Sequence, residues 1–167
     1  MAIDPAVRND AFGIAVGYKD YDDTIVVDGA WRFQRMDRAY ISPKEIKQWM
    51  EDVITRLNVA VLVFDTWMYP ELIEWAEQDM GLIVEKHIVT KLDYDRWREL
   101  QQVGRLRICQ YDVLKMEAES LLVINEHRVD HPIGGSKDVA DCVANVIWYL
   151  ETKGMQITPP VLVVRTI

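Results

Sequence analysis

The stretch VAVLVFD, residues 59–65, decides the fold class. Six consecutive apolar residues precede Asp65, and no polar residue alternates with them. A strand of this composition is buried on both faces, as the central strands of α/β sheets are. An acid that ends such a strand points towards the crevice in which open α/β sheets bind ligands. Taken alone, Asp65 could equally start a turn or cap the next helix.

The segments around this strand alternate between helix and strand patterns. Ser42, Pro43 and Glu45 form a capping box with proline at the first helical position, which predicts a helix over 42–58. Further helix patterns cover 69–80, 93–104 and 112–127, and strand patterns cover 10–18, 23–33, 81–89 and 105–111. The first two strands are joined by the short turn KDYDD, which predicts an antiparallel hairpin. Together these elements predict an α/β fold in which helices flank a central mixed sheet in three layers.

Length and charge restrict the classes of protein that this chain can represent. Its 167 residues are most simply one domain. No apolar run is long enough to span a membrane, and the start MAIDPAVRND has no signal-peptide pattern, so we expect a protein that is not secreted. A net charge of −8, from 27 acidic and 19 basic residues, argues against a protein that coats nucleic acid. It does not exclude a nuclease whose acids surround divalent cations.

The stretch GGSKDVADCVANVIWYL, residues 134–150, predicts a buried helix that begins with two acids. Ser136 is the candidate N-cap, and Asp138 in the first turn would be favoured by the helix dipole. Asp141 lies three residues later on the same helical face, among small and apolar neighbours, where the dipole explains it less well. Near the start of the chain, Asp4 ends a short apolar segment and Asp10 opens the next strand.

Acids that follow a first strand, end a buried strand and begin a late helix could converge on one crevice. Clustered carboxylates repel one another, and they stay ionised only if cations neutralise them. Mg²⁺ and Mn²⁺ prefer oxygen ligands of this kind. Two such ions about 4 Å apart would hold the attacking and leaving oxygens of a phosphodiester displacement.

Three segments together resemble the C-terminal nuclease domain of phage terminase large subunits, which has a ribonuclease H-like fold. They are AIDPAVRNDAFGIAVG, VAVLVFDTWMYPELIEWAEQ and HRVDHPIGGSKDVADCVANVIW, and the similarity runs from Ala2 to about Leu150. The resemblance implies a metal-dependent endonuclease that cuts concatemeric double-stranded DNA with two Mg²⁺ or Mn²⁺ ions. By position in the family motifs, Asp4 would bridge both ions, Asp65 would hold one, and Asp138, Asp141 or both would supply the rest, with Asp138 favoured as the direct ligand. Asp10 would be an accessory acid.

The resemblance also implies partners, and the chain departs from the family in two ways. It has no GxxxxGK[ST] motif of a packaging ATPase, and only three residues precede Asp4 in the first strand. We therefore expect residues 1–167 to be a single nuclease domain excised from a longer chain. The implied partners of the full-length protein are DNA, the packaging ATPase domain, the small terminase subunit and the portal. The implied location is the host cytoplasm, with transient binding to the viral procapsid and no membrane association.

Contacts to the DNA backbone are predicted for Arg32, Arg35, Lys137 and His131. Each has an ordinary structural explanation as well, such as a surface salt bridge, a solvated helix start or a turn. Two other functions remain open. The chain could be another nuclease of the same fold, such as a Holliday-junction resolvase or a transposase-like enzyme. It could instead be a docking module without catalytic activity that binds the portal or partner subunits.

Overall fold

The computed structural model describes residues 1–5, 11–34, 41–64 and 70–154. The strands are β1 (Ala2–Pro5), β2 (Ala11–Lys19), β3 (Ile25–Gln34), β4 (Val61–Phe64), β5 (Ile83–Lys86), β6 (Leu106–Ile108), β7 (Leu122–Val123) and β8 (Val129–Asp130). The helices are α1 (Pro43–Leu57), α2 (Pro70–Glu74), α3 (Lys91–Gln102), α4 (Asp112–Ser120) and α5 (Asp138–Thr152), and a π-helical turn, Trp75–Asp79, continues α2.

A six-stranded mixed sheet in the order β5-β4-β1-β2-β3-β6 forms the centre of the protein. Strands β1, β2 and β3 pair antiparallel, whereas β4 pairs parallel with both β1 and β5, and β6 pairs parallel with β3. The predicted hairpin is therefore confirmed as β2 and β3. Strand β4 lies between two neighbours, and all four of its residues are buried, as its apolar sequence predicts.

Helices cover both faces of this sheet, and each face has its own core. On one face, Ile3, Ile14 and Phe64 pack with Met50 of α1 and Leu72 of α2. On the other face, alternate residues of the sheet, Ala2, Ala15, Val27 and Val63, pack against the helices α3, α4 and α5, which contribute Leu100, Leu114 and Ile147 respectively. The prediction of an α/β fold with three layers is confirmed.

Helix α1 forms where its local sequence predicts it. The Ser42 side chain accepts a hydrogen bond from the Glu45 amide, and the Glu45 carboxylate accepts one from the Ser42 amide. The helix ends at Asn58, whose φ of 50° is a left-handed C-cap conformation. Its buried stripe is Ile46, Met50 and Ile54.

The predicted helix over 112–127 is wrong beyond Ser120. Helix α4 ends there, and Leu122 and Val123 pair with Asp130 and Val129 in the small antiparallel sheet β7-β8. The apolar run Leu121–Ile124 fits a strand as well as a helix. The Asn125 side chain accepts hydrogen bonds from the amides of His127 and Arg128, which close the turn between the two strands. Within the described ranges, no helix is long and apolar enough to cross a membrane.

Candidate functional site

The first of the predicted acids lies where parallel strands end. Strands β1 and β4 run side by side, with Ile3 opposite Phe64. Ala2 belongs to the core beneath α5 and Ile3 to the core beneath α1, so the alternation of a strand turns Asp4 towards α5. Asp65 follows Phe64 directly in sequence, but Asp65, Asp10 and Arg35 lie outside the described residues.

Glycine lets α5 approach the sheet at this point. Gly13 on β2 is paired with Asp4 on one side and with Arg32 of β3 on the other. A Cβ atom at Gly13 would lie 2.3 Å from the carbonyl oxygen of Asp138 and 2.9 Å from the amide nitrogen of Val139. The first turn of α5 therefore rests directly on the β2 backbone, beside the strand that carries Asp4.

Between β1, the loop after β5, β8 and α5 lies a cavity of about 450 Å³, which we call the acidic crevice. It is lined by Asp4, Ile88, Val89, Thr90, His127, Arg128, Val129, Asp130, Lys137, Asp141 and Asn145. Of the four acids predicted as metal ligands, the structure brings Asp4 and Asp141 together here. Asp138 does not line the crevice. Asp130 lines it, although sequence reasoning did not select it.

Asp141 is a buried carboxylate with a partner on each oxygen. The Tyr94 hydroxyl donates to Oδ1 at 2.5 Å, and the Lys137 ammonium forms an ion pair with Oδ2. Burial raises the pKa of the Asp141 carboxyl above its ordinary range, against the opposing effects of Lys137 and Tyr94. Because a buried carboxylate needs compensating charge, Lys137 acts as the countercharge of this group in the structure.

Two further acids of the crevice, Asp4 and Asp130, also attract the Lys137 ammonium electrostatically. Burial alone would lower its pKa, yet the carboxylates of Asp141, Asp4 and Asp130 together hold the pKa of Lys137 above its ordinary value. The ammonium thus pairs with Asp141 of α5 and is attracted by the carboxylates of Asp4 on β1 and Asp130 on β8, while Arg128 on the rim pairs with Asp130. This position favours a cation, and a flexible lysine side chain is the cation that the chain itself provides.

Asp138 faces a different set of partners. Its Oδ2 lies 2.8 Å from the Ser136 hydroxyl, which in turn lies 2.8 Å from Oε1 of Glu117. The prediction of Ser136 as N-cap is wrong. Helix α5 begins at Asp138, so its N-cap residue is Lys137, and the Lys137 side chain makes no capping hydrogen bond.

The cap of α5 comes from Glu117 on α4. Its Oε2 accepts hydrogen bonds from the amides of Val139 and Ala140, both at 2.9 Å. Burial raises the pKa of this carboxyl, despite the hydrogen bonds that stabilise its charged form. An anion from the protein therefore occupies the helix start, which is a common binding place for phosphate groups. Sequence reasoning missed Glu117, since it lies 22 residues before Val139.

Of the remaining predicted DNA contacts, Arg32 and His131 lie within the described residues, and neither lines the crevice. Arg32 lies in the same row of the sheet as Asp4, two strands away, which is about 10 Å. His131 follows β8 and is half-buried, with its Nδ1 2.9 Å from the Pro132 carbonyl oxygen. Arg128 is two-thirds exposed on the crevice rim and pairs with Asp130. The pKa of Asp130 is lowered, since the hydrogen bonds from His131 and Arg128 outweigh its partial burial.

A further residue of the crevice is Asn145, one turn after Asp141. It is 2% exposed, and its Oδ1 is buried without a hydrogen-bond partner within the described part of the chain. The sequence did carry a signal for it, because Asn145 is the single polar residue between Cys142 and Ile147 of an otherwise apolar helix segment.

The donor chemistry suits a divalent cation that prefers oxygen ligands. Asp4, Asp141, Asn145 and Lys137 all line one cavity, and the buried amide oxygen of Asn145 has no hydrogen-bond partner within the described residues. Within residues 1–5, 11–34, 41–64 and 70–154, no three His, Cys, Asp or Glu side chains lie close enough together to hold a metal ion. Asp65 is not among those residues.

A larger cavity, of about 550 Å³, lies at the opposite end of the sheet, near Met1, Val61 and Leu150. Its lining is mainly apolar, and the described acid that it includes is Asp28. The acids predicted as metal ligands that the structure describes lie nearer the smaller, acidic crevice, so we place the candidate site there.

Comparison with solved structures identifies proteins of the same fold. The large terminase of a thermophilic bacteriophage aligns with a TM-score of 0.67 at 13% identity, over 88% of this chain and 39% of that chain. The large terminase nuclease from thermophilic phage G20c, solved with bound magnesium, aligns with a TM-score of 0.56 at 11% identity, over 84% and 88% of the two chains. The yeast mitochondrial Holliday junction resolvase gives a TM-score of 0.49 at 12% identity, over 89% and 77%.

These likenesses show the fold. The chain has the ribonuclease H-like fold of the phage large-terminase nuclease, so the predicted resemblance is confirmed at that level. The chain corresponds to 39% of the length of the first of these large terminases. No protein-family model and no curated protein sequence matches it.

Proposed function

We propose that this chain is a metal-dependent DNA endonuclease domain of a viral packaging terminase. The observation that carries the proposal is the lysine ammonium held among Asp4, Asp130 and Asp141 in the acidic crevice, on a fold shared with terminase nucleases. A position that attracts one positive charge from the chain also suits a divalent cation from solution.

In this proposal, Asp4 and Asp141 hold the cation from opposite sides of the crevice, and Asp65, which directly follows β4 in sequence, completes the set. Asp141 is preferred to Asp138 because Asp141 lines the crevice, whereas the Asp138 carboxylate is bonded to Ser136. Two divalent ions, Mg²⁺ or Mn²⁺, would supply activation of water and neutralisation of the phosphate charge. Asp10 is retained as an accessory acid.

The chain's own residues would orient the substrate. Tyr94 fixes the Asp141 carboxylate through its hydroxyl, and Glu117 fixes the first turn of α5. Lys137, which pairs with Asp141, would be free to contact a DNA phosphate if Asp141 held a divalent cation instead. Arg32, Arg35 and His131 are proposed as further backbone contacts. DNA would be cut with little sequence preference.

The wider biological role is also a proposal. The domain would cut concatemeric double-stranded DNA in the host cytoplasm, and it would reach the procapsid with a packaging ATPase domain, a small terminase subunit and the portal. Residues 1–167 would form one nuclease domain of that assembly.

Nicking of supercoiled plasmid in the presence of Mn²⁺ tests the activity. We expect nicking by the wild type and its loss in Asp4→Asn, Asp65→Asn and Asp141→Asn. Asp52→Asn is the matched control, since Asp52 is exposed on α1, on the other face of the sheet. Undiminished nicking by the three aspartate variants would refute the assignment. A wild type that neither binds Mn²⁺ nor nicks DNA would favour the docking module instead.

A further inference from the structure

Among the residues that the structure describes, Asn145 has a buried acceptor in the acidic crevice without a hydrogen-bond partner. Four polar or charged residues of the described chain are buried, namely Thr24, Glu117, Asp141 and Asn145. Glu117 and Asp141 both have hydrogen-bond donors on their carboxylates, and Thr24 is bonded to Asp22. The Asn145 Oδ1 has no donor within the described ranges.

An unpaired acceptor of this kind is unfavourable. A buried carbonyl oxygen without a partner loses its hydration and gains nothing in return, so native proteins seldom keep one without a purpose. The neighbouring residues on α5 are apolar or small and form the core beneath β2. An apolar side chain at position 145 would fit that core without an unpaired oxygen.

The position of the oxygen indicates what it serves. Asn145 lies one helical turn after Asp141, and residues at this spacing have Cβ atoms about 5–6 Å apart on the same helical face. Both residues line the acidic crevice together with Asp4 and Lys137. The Lys137 ammonium, a strong donor in the crevice, is already engaged by Asp141.

An acceptor without a donor, next to two carboxylates, is suited to a cation and its bound water. Hard divalent cations take amide oxygens as well as carboxylates, and the water molecules that they retain are strong hydrogen-bond donors. The phosphodiester of a nucleic acid would be a poorer partner for this oxygen. It has no proton to donate, and the crevice around the oxygen is negatively charged.

We propose that the Asn145 amide oxygen is an additional oxygen donor for the hydrated divalent cation that Asp4 and Asp141 hold. This inference rests on the proposed function and adds a ligand from the second turn of α5. The cation then contacts α5 at two successive turns, through Asp141 and Asn145, so the helix fixes its position along the crevice. An Asn145 oxygen without a donor from the protein is what we expect of a site whose cation binds from solution.

Binding of Mn²⁺ to the full 167-residue chain tests the inference without any need for nuclease activity. Isothermal titration should show Mn²⁺ affinity about tenfold lower, or weaker still, in Asn145→Leu than in the wild type. Asn145→Asp should bind at least as tightly as the wild type, because it keeps an oxygen there and adds a charge. Thr152→Val, at the far end of α5, is the control for loss of a polar group and should bind like the wild type.

Thermal unfolding separates this role from a structural one. Without metal, Asn145→Leu should unfold at the same temperature as the wild type or higher, since an unpaired buried oxygen is removed. With Mn²⁺ present, its stabilisation should be smaller than that of the wild type, as mass action requires for weaker binding. A structural asparagine would give the reverse: a lower unfolding temperature and unchanged Mn²⁺ affinity.

The outcomes also separate this inference from the proposed function. If Asp4→Asn and Asp141→Asn lose Mn²⁺ binding while Asn145→Leu binds within twofold of the wild type, the acidic site stands and the role of Asn145 is refuted. If the wild type binds no Mn²⁺, both proposals fail together.

Discussion

Substitution of Gly13 by alanine tests the position of α5 on the sheet. The new Cβ would lie 2.3 Å from the carbonyl oxygen and 2.5 Å from the carbonyl carbon of Asp138. An ordinary carbon–oxygen contact is about 3.3–3.6 Å, so the first turn of α5 must move by about 1 Å. Both contacts are with backbone atoms, and no side-chain rotation relieves them.

The expected loss of stability is a difference between two effects. Overpacking of this kind costs about 1–3 kcal/mol. Alanine also reduces the freedom of the unfolded chain, which returns about 0.4–1 kcal/mol. The overpacking cost is the larger of the two effects. The net loss of about 1–2 kcal/mol in the free energy of unfolding corresponds to a fall in the unfolding temperature of roughly 2–8 °C.

Gly17→Ala is the matched control. A Cβ at Gly17 would lie 2.5 Å from the Val26 carbonyl oxygen and 2.8 Å from Cγ1 of Val146, so it is as crowded as Gly13. Its shortest contact is with the β3 backbone, and it meets α5 only at the flexible end of the Val146 side chain, not at the backbone of the first turn. We expect both variants to lose similar stability, and Gly13→Ala alone to lose nicking activity, by about 100-fold for a displacement of the acids by about 1 Å.

Differential scanning fluorimetry and Mn²⁺-dependent plasmid nicking measure the two quantities. If Gly13→Ala unfolds and nicks like the wild type, α5 does not rest on β2 as described. Equal loss of activity in Gly13→Ala and Gly17→Ala would show that general destabilisation, and not displacement of the acidic turn, explains the effect.

Three further substitutions test the contacts around Asp141. Tyr94→Phe removes the hydrogen bond to Asp141, and we expect a loss of about 1.5–3 kcal/mol in urea unfolding; no loss would mean that the hydroxyl does not donate to the carboxylate. Lys137→Met leaves the Asp141 carboxylate without its countercharge. Titration should therefore show tighter Mn²⁺ binding by the variant, and scanning fluorimetry should show a lower unfolding temperature without metal. Weaker Mn²⁺ binding would contradict competition between the lysine and the metal ion for Asp141. Glu117→Gln tests the buried cap: because burial raises the pKa of Glu117, the folded state binds a proton more tightly than the unfolded state does. The wild type should therefore lose stability relative to Glu117→Gln as the pH rises from about 4 to about 7, and a constant difference in urea unfolding would refute the raised pKa.

Local patterns predicted most of the fold. The capping box at Ser42 and Glu45 involves residues three positions apart, and such signals work without knowledge of the tertiary structure. The apolar sequence of β4 predicts a central strand for the same reason. The helix predicted over 112–127 failed where apolar residues fit either a helix or a strand, and pairing with residues 129–130 decided between them.

The acidic crevice could be predicted only in part. The resemblance of the motifs pointed to Asp4, Asp65, Asp138 and Asp141, and of these Asp4 and Asp141 line one cavity, Asp138 does not, and Asp65 lies outside the described residues. Tyr94, Glu117 and Asp130 reach the crevice or its supporting helix from elements that are distant in sequence, and no local pattern distinguishes them from ordinary surface residues. Asn145 was visible as a polar residue in an apolar helix segment, but its importance depends on an unpaired oxygen that the structure alone reveals.

The central claim is that the acidic crevice is a divalent-metal site, and one diffraction measurement tests it most directly. Crystals soaked in MnCl₂ and measured at the manganese absorption edge should show an anomalous peak about 2.1 Å from carboxylate oxygens of Asp4 and Asp141. The Lys137 ammonium should then have left Asp141. No peak in the crevice at saturating Mn²⁺, with Lys137 still paired to Asp141, would contradict the account.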